Sequence, residues 1–260
     1  MIRMIACDID GTLLQEGETA IRPELFGLIG RLRKKGILFC TASGRQYPCQ
    51  LRLLAPVADQ ICCVCENGAI AFDSSGHVLS KLGIPREDAL AMIQQILDTP
   101  RCEVLISGER TCYIIPKEPD FLPHMRDVVG NDTTVVASAG EIGEEIIKIA
   151  VYCRDGTENC LSLLQKRWGG QYSVAVSGAR WVDLTRANKA VGLRAVCDAF
   201  RIAPSEVMAF GDNFNDLEML RMVGFPCVMA HAHPEVKAAG KLICSRVETQ
   251  LERFLSEIGG

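Results

Sequence analysis

An α/β fold, with a doubly wound parallel sheet as its core and a separate α+β domain inserted into it, is the architecture this sequence predicts. Three observations carry that prediction. Short apolar runs alternate with amphipathic stretches near the N-terminus, give way to a series of β-rich segments in the middle, and resume towards the C-terminus. At 260 residues the chain also exceeds the usual size of one domain. The boundaries fall at 1–82 and 186–260 for a discontinuous core, with 83–185 as the insertion.

The elements follow in order. Residues 2–7 read as a strand, and 22–35 as a helix with Pro23 at its start and Gly36 past its end. A second strand is expected at 37–41, after which Ser43-Gly44-Arg45 opens a loop or helix. A third strand at 61–64 precedes Glu66-Asn67-Gly68-Ala69. Apolar strands separated by amphipathic helices predict parallel pairing through right-handed crossovers. In the middle, helical periodicity spans 88–98 and 157–168, among β-rich runs at 103–107, 111–115, 146–153, 173–177 and 181–184. The final part offers a helix at 188–200, a strand at 207–210, a helix to 223, a strand at 226–229 and a closing helix at 247–258.

Composition excludes several classes. Hydrophobic residues make up 48% and charged residues 23%, an ordinary globular balance. A formal charge of −4 offers no footprint for nucleic acid or an anionic membrane, so phosphate recognition must be local. No apolar run is long enough to span a bilayer, and Asp8 arrives too early for a signal peptide, so a cytoplasmic protein is expected. Thirteen cysteines cannot all pair within the chain, and several, such as Cys40, Cys62, Cys63 and Cys65, lie in apolar runs. They are expected as reduced, buried thiols, and no paired Cys-x-x-Cys or Cys/His spacings mark a zinc site.

The chemistry gathers where strands end. Asp8 and Asp10 follow the first strand one residue apart, so alternation puts them on one side of the chain and Cys7 on the other. Two carboxylates so close need a metal ion or a shared proton. Ser43-Gly44-Arg45 offers a hydroxyl and backbone N–H groups as an anion seat. Lys189 begins a helix, and Gly211-Asp212-Asn213-Phe214-Asn215-Asp216 packs two carboxylates and an amide into one loop. In an open parallel sheet all four groups converge on one crevice. That inventory fits phosphoryl transfer, with Mg2+ as the cation suited to oxygen ligands and substrate phosphate.

At this point the chain resembles a family. Asp8-Ile9-Asp10-Gly11-Thr12, Ser43-Gly44-Arg45, Lys189 and Gly211-Asp212-Asn213-Phe214-Asn215-Asp216 are similar to the four ordered motifs of the haloacid dehalogenase superfamily. The likeness is nearest to its Cof-type, subclass IIB phosphatases, and covers nearly the whole chain. It implies a Rossmann-like core with a subclass IIB cap as the insertion. It implies Asp8 as a nucleophile forming an aspartyl-phosphate and Asp10 as general acid and base. Mg2+ would be ligated by Asp8, Asp212 and the backbone carbonyl of Asp10. Phosphoryl oxygens would be held by Ser43, Gly44, Lys189 and Asn215, with Thr12, Arg45 and Asp216 in support. Two departures concern loop geometry: Ala190 follows the lysine where the family has glycine, and Ala230-His231-Ala232 replaces a Gly-Asn-Ala turn.

The expected substrate is a small phosphorylated metabolite, such as a phosphosugar-like monoester, acted on by a monomer or small homo-oligomer. The alternatives are a phosphosugar mutase or phosphotransferase of the same fold, and a non-catalytic phospho-ligand-binding regulator. Arg110 and Arg180 are cap candidates for touching substrate, with Glu109 and Tyr113 behind them. Trp168 and Trp181 are expected in the cap core, and His231 and His233 as exposed loop residues rather than a second metal site.

Overall fold

The computed structural model describes every residue except Arg110, Asp132 and Gly260, so the candidate Arg110 lies outside the described residues. The chain divides into two compact units, Met1–Ser80 with Asn188–Gly260, and Lys81–Ala187. Among the described residues no helix is long and apolar enough to cross a membrane.

The first unit starts with β1 (Met4–Cys7), buried at every position. It pairs in parallel with β2 (Leu38–Ala42), which pairs in parallel with β3 (Ile61–Cys65). Between β1 and β2 runs α1 (Pro23–Lys34), which has Pro23 and Glu24 in its first turn and Arg31, Arg33 and Lys34 in its last. Those charges complement the helix dipole, and Leu25, Leu28, Ile29 and Leu32 form one buried stripe. The β2–β3 crossover carries α2 (Tyr47–Leu53). The chain then reverses, and β4 (Ile70–Phe72) returns antiparallel to β3, with β5 (Val78–Lys81) beyond it at the sheet edge. The sheet is therefore mixed rather than wholly parallel. The cause is the turn at Glu66, Asn67 and Gly68, whose φ angles of 51°, 54° and 95° fold the chain back with no room for a crossover.

The second unit contains α3 (Arg86–Asp98), β6 (Cys102–Gly108), β7 (Cys112–Ile114) and α4 (Phe121–Pro123), which runs into a π-helical stretch, His124–Val129. It continues with β8 (Thr133–Val135), β9 (Ile146–Cys153), α5 (Glu158–Trp168), β10 (Ser173–Gly178) and β11 (Trp181–Thr185). The strands form one sheet in the order β10-β11-β9-β6-β7-β8. Both β6 and β9 are buried along their whole length, because the sheet is covered on two faces. Met92, Ile93, Leu164 and Trp168 pack against Val104, Ile106 and Val151 on one face. Phe121 and Met125 pack against Leu105, Ala150 and Tyr152 on the other. That double coverage explains runs without polar alternation in a largely antiparallel sheet. Trp168 is core, whereas Trp181 is half-buried beside Tyr152.

The chain returns to the first unit with α6 (Lys189–Ala199), capped by the Asn188 side chain, which accepts from the Val191 N–H. Then come β12 (Val207–Gly211), α7 (Leu217–Met222), β13 (Phe225–Met229), α8 (Pro234–Lys237), β14 (Leu242–Cys244) and α9 (Val247–Ile258). The sheet order is β14-β13-β12-β1-β2-β3-β4-β5, parallel from β14 to β3. On one face Leu193, Val196, Met219, Leu220 and Val236 cover Met4, Ala6, Cys40, Val64 and Ala209. The alternate residues Ile5, Cys7, Phe39 and Phe210 are equally buried and face the opposite layer, where α1 packs on β2 and α9. With β1 between β2 and β12, the strand order reverses at β1, the place where open α/β sheets form a crevice.

Candidate active site

Parallel strands deliver the residues after their C-terminal ends to one rim of the sheet. Cys7 pairs with Thr41 on one side and Phe210 on the other, so Asp8, Ser43 and Asp212 leave three neighbouring strands side by side. The Asp8 N–H donates to the Phe210 carbonyl at 3.0 Å, and the Ser43 N–H donates to the Val64 carbonyl at 3.0 Å. Lys189, 1% exposed, donates from Nζ to Asp8 Oδ1 at 2.6 Å and to Asp216 Oδ1 at 2.7 Å. The other oxygen of Asp216 accepts the N–H groups of Asp212 and Asn213, each at 3.0 Å. Asp216 thus ties the lysine to the loop that carries Asp212. Thr12 Oγ1 donates to Asp212 Oδ1 at 2.9 Å. Gly11 lets the two loops close on each other: its φ is +91°, and a Cβ there would stand 2.2 Å from Asp212 Oδ2.

Charge does not balance within this cluster. Asp8, Asp212 and Asp216 bring one oxygen each within 4.8 Å of one another, around a single ammonium. Burial pushes the Asp8 carboxyl well up, opposed by Lys189 and reinforced by Asp216 and Asp212. Burial and then Asp216 also raise Asp212, against the pull of Thr12, His231 and Lys189. Burial alone lowers the Lys189 ammonium, but Asp216 and Asp8 outweigh it and hold it above its ordinary value. The excess is negative, and the donors facing it are carboxylate oxygens, the set that suits a hard divalent cation.

The remaining sequence-predicted residues take definite places. Asp10 is half in solvent and receives a bidentate pair from Arg45, Nε at 2.8 Å and Nη2 at 2.6 Å. Ser43-Gly44-Arg45 is loop rather than a helix start, since α2 begins only at Tyr47. The Arg45 N–H is used by Ser43 Oγ at 3.1 Å, so the expected anion seat reduces to the Ser43 hydroxyl and the glycine approach. Asn215 donates to Asn67 Oδ1 at 3.3 Å. Asn67 was given no role at the site, although Glu66-Asn67-Gly68-Ala69 matches the family's habit; its N–H donates to the Ser43 carbonyl at 3.0 Å. Next to it, a Cβ on Gly68 would lie 1.9 Å from the Asn188 carbonyl, so the β3–β4 turn braces the start of α6 where Lys189 sits. The Asn-Gly pair was the available signal.

His231 is exposed as expected, yet its Nε2 lies 3.6 Å from Asp212 Oδ2, so the departure from the family turn puts an imidazole beside that carboxylate. His233 instead caps α8, accepting from the Glu235 N–H. Ala190 follows Lys189 in α6, whose start is set by the Asn188 cap and not by a glycine. Arg180 belongs to the other unit and donates to Tyr152 Oη at 3.1 Å. Glu109 pairs with Lys81, and Tyr113 donates to Glu144, both within that unit.

The family model for haloacid dehalogenase-like hydrolases matches residues 5–250. The chain belongs to this family. Among its relatives is the 5-amino-6-(5-phospho-D-ribitylamino)uracil phosphatase YbjI of Escherichia coli, 29% identical over 244 residues that span 92% of this chain and 89% of the relative. A solved structure from Eubacterium rectale superposes with a TM-score of 0.86 at 29% identity, covering 98% of this chain and 99% of the other. The subclass IIB sugar phosphatase BT4131 shares the fold, with a TM-score of 0.83 at 22% identity and 99% of each chain covered. Both α/β core and inserted unit therefore lie within the architecture of this hydrolase family.

Proposed function

We propose that this hydrolase is a divalent-metal-dependent phosphatase of small phosphorylated metabolites, working through a phosphorylated Asp8. The observation that carries the reading is the Asp8 carboxyl, buried and paired with Lys189 on one oxygen, at the switch point beside Asp212. Lys189 takes Oδ1, which leaves Oδ2 as the attacking atom. Asp8 Oδ2 attacks phosphorus and the bond to the leaving oxygen breaks, while Asp10 delivers the proton that makes the leaving group an alcohol. Asp10 then takes a proton from water, whose oxygen attacks the phosphorus and releases inorganic phosphate, restoring both aspartates. Arg45 orients Asp10 during these transfers through its bidentate contact. Lys189 has used two of its three N–H donors, and the third, with the Ser43 hydroxyl, is assigned to the phosphoryl oxygens.

The unbalanced carboxylates fit a metal. Asp8 and Asp212 would hold it with the Asp10 carbonyl, and Mg2+ is the proposed ion; bound there, it supplies the positive charge that lets a carboxylate approach a phosphate anion. Asp216 has both oxygens committed and is assigned to Lys189 rather than to the metal. Substrate choice is assigned to the inserted unit, proposed as the cap of subclass IIB. The names of relatives support a phosphorylated small molecule, and thirteen free cysteines support a reducing, cytoplasmic setting.

The test is phosphate release from p-nitrophenyl phosphate and a panel of phosphometabolites, with and without Mg2+. Steady turnover that needs the metal, disappears in Asp8→Asn, and leaves an acid-stable phosphoryl label on Asp8 in a trapped Asp10→Ala variant is expected. Wild-type activity in Asp8→Asn would sink the mechanism.

A further inference from the structure

Cys102 meets two cysteines from some fifty residues further along the chain, Cys153 and Cys160, inside the second unit. Cys102 opens β6 and Cys153 closes β9, and the antiparallel register sets them directly opposite each other. Cys160 joins them from the first turn of α5. The three sulfur atoms lie within 4.8 Å of one another, and the residues are only 5%, 2% and 5% exposed. No fourth His, Cys, Asp or Glu joins the group among the described residues.

Filling a core with small hydrophobes accounts for single buried cysteines, as at Cys197, but does not require three sulfurs to converge. Metal coordination does. Metal–sulfur bonds of about 2.3 Å place three sulfurs around one ion about 4 Å apart, within the spacing seen here. Zinc takes four ligands in structural sites, whereas a soft monovalent ion is satisfied by thiolates alone and by fewer of them.

We propose that Cys102, Cys153 and Cys160 form a three-coordinate thiolate site for Cu+ that pins the paired ends of β6 and β9 to α5. Binding replaces thiol protons, which leave to solvent, and the ion and sulfurs keep their oxidation states, so no oxidant or reductant is consumed. The site does not depend on the phosphatase reading, since none of its residues belongs to the candidate active site.

The experiment is anaerobic titration of the full chain with Cu+ against a chromophoric Cu+ chelator. The expected result is one equivalent withdrawn from the chelator, with a near-ultraviolet sulfur-to-copper band. Both should be lost in Cys160→Ser and Cys102→Ser and kept in Cys197→Ser. A second readout guards against misfolded variants: Cu+ should raise the unfolding midpoint seen by Trp168 and Trp181 in the wild type. Absence of uptake by the wild type would overturn the proposal. So would uptake unchanged in Cys160→Ser, equal competition by Zn2+ at the same cysteines, or a disulfide among the three in place of bound metal.

Discussion

Asp216→Asn is the perturbation that most sharply tests how the candidate site is held. Asp216 is fully buried, and one oxygen accepts from Lys189 while the other accepts two backbone N–H groups. An asparagine cannot serve both sides. If its oxygen faces Lys189, its NH2 confronts the N–H groups of Asp212 and Asn213; if it is turned, the NH2 confronts the ammonium. Either way a buried charge loses a partner, a change worth about 3–5 kcal/mol. With a urea dependence of about 3 kcal/mol per molar, the upper end of the usual range and the one suited to a large chain, the midpoint should fall by about 1–2 M. Far-ultraviolet circular dichroism is the right probe, because both tryptophans lie in the other unit. Phosphatase turnover should fall by about a hundredfold from misplacement of Lys189 and Asp212. Extra Mg2+ should not restore it, because Asp216 is assigned to the lysine and not to the metal. A variant with an unchanged midpoint, or one rescued by Mg2+, would refute the reasoning.

Other outcomes follow from the same geometry. Gly11→Ala drives a Cβ into Asp212 at a positive φ, and should cost about 1–3 kcal/mol with loss of turnover, read by urea titration and phosphate release. Glu103, 1% exposed and held by Arg154 and the N–H groups of Lys117 and Glu118, anchors the second unit. Glu103→Ala should lower that unit's tryptophan-monitored stability by about 3–5 kcal/mol, and an unchanged melting curve would contradict its anchoring role. Glu18 is held down to about 2, first by Arg22, then by the Gln15 N–H and Arg246. A depressed carboxylate stabilises above its unfolded value near 4.5 and loses that contribution as pH falls towards about 2. Glu18→Gln should therefore flatten the acid-side stability profile between those values; a profile identical to wild type would argue that these contacts do not form in solution.

The parts legible in the sequence share a physical reason. The closing helix was expected at 247–258 and is observed at Val247–Ile258, because an isolated amphipathic stretch carries its own periodicity. Asp8, Ser43 and Asp212 were readable because strand tips in a parallel sheet converge whatever the loops do. What escaped were features whose cause is not local. Ile70–Phe72 and Leu242–Cys244 are three-residue strands, too short for any period to show and formed only because a neighbour pairs with them. The Arg45 grip on Asp10 and the approach of His231 to Asp212 depend on loop paths. The thiol cluster was hidden for the same reason, since spacing rules look along the chain and Cys102, Cys153 and Cys160 meet across it.

The central position of β1 has a consequence for how activity arises during folding. Its two neighbours, β2 and β12, come from opposite ends of the chain, so the core sheet stays open until the last third has arrived. The contacts that define the candidate site are among the most distant in sequence: Lys189 to Asp8 spans 181 residues, and Thr12 to Asp212 spans 200. Such pairings form late, because loop closure comes before any gain from them. A chain emerging as far as the inserted unit would carry Asp8 with no ammonium beside it. Under the proposed Asp8 mechanism, turnover would therefore report completion of the core, and a nascent or partly unfolded molecule would be inactive for the same reason that it is unfinished.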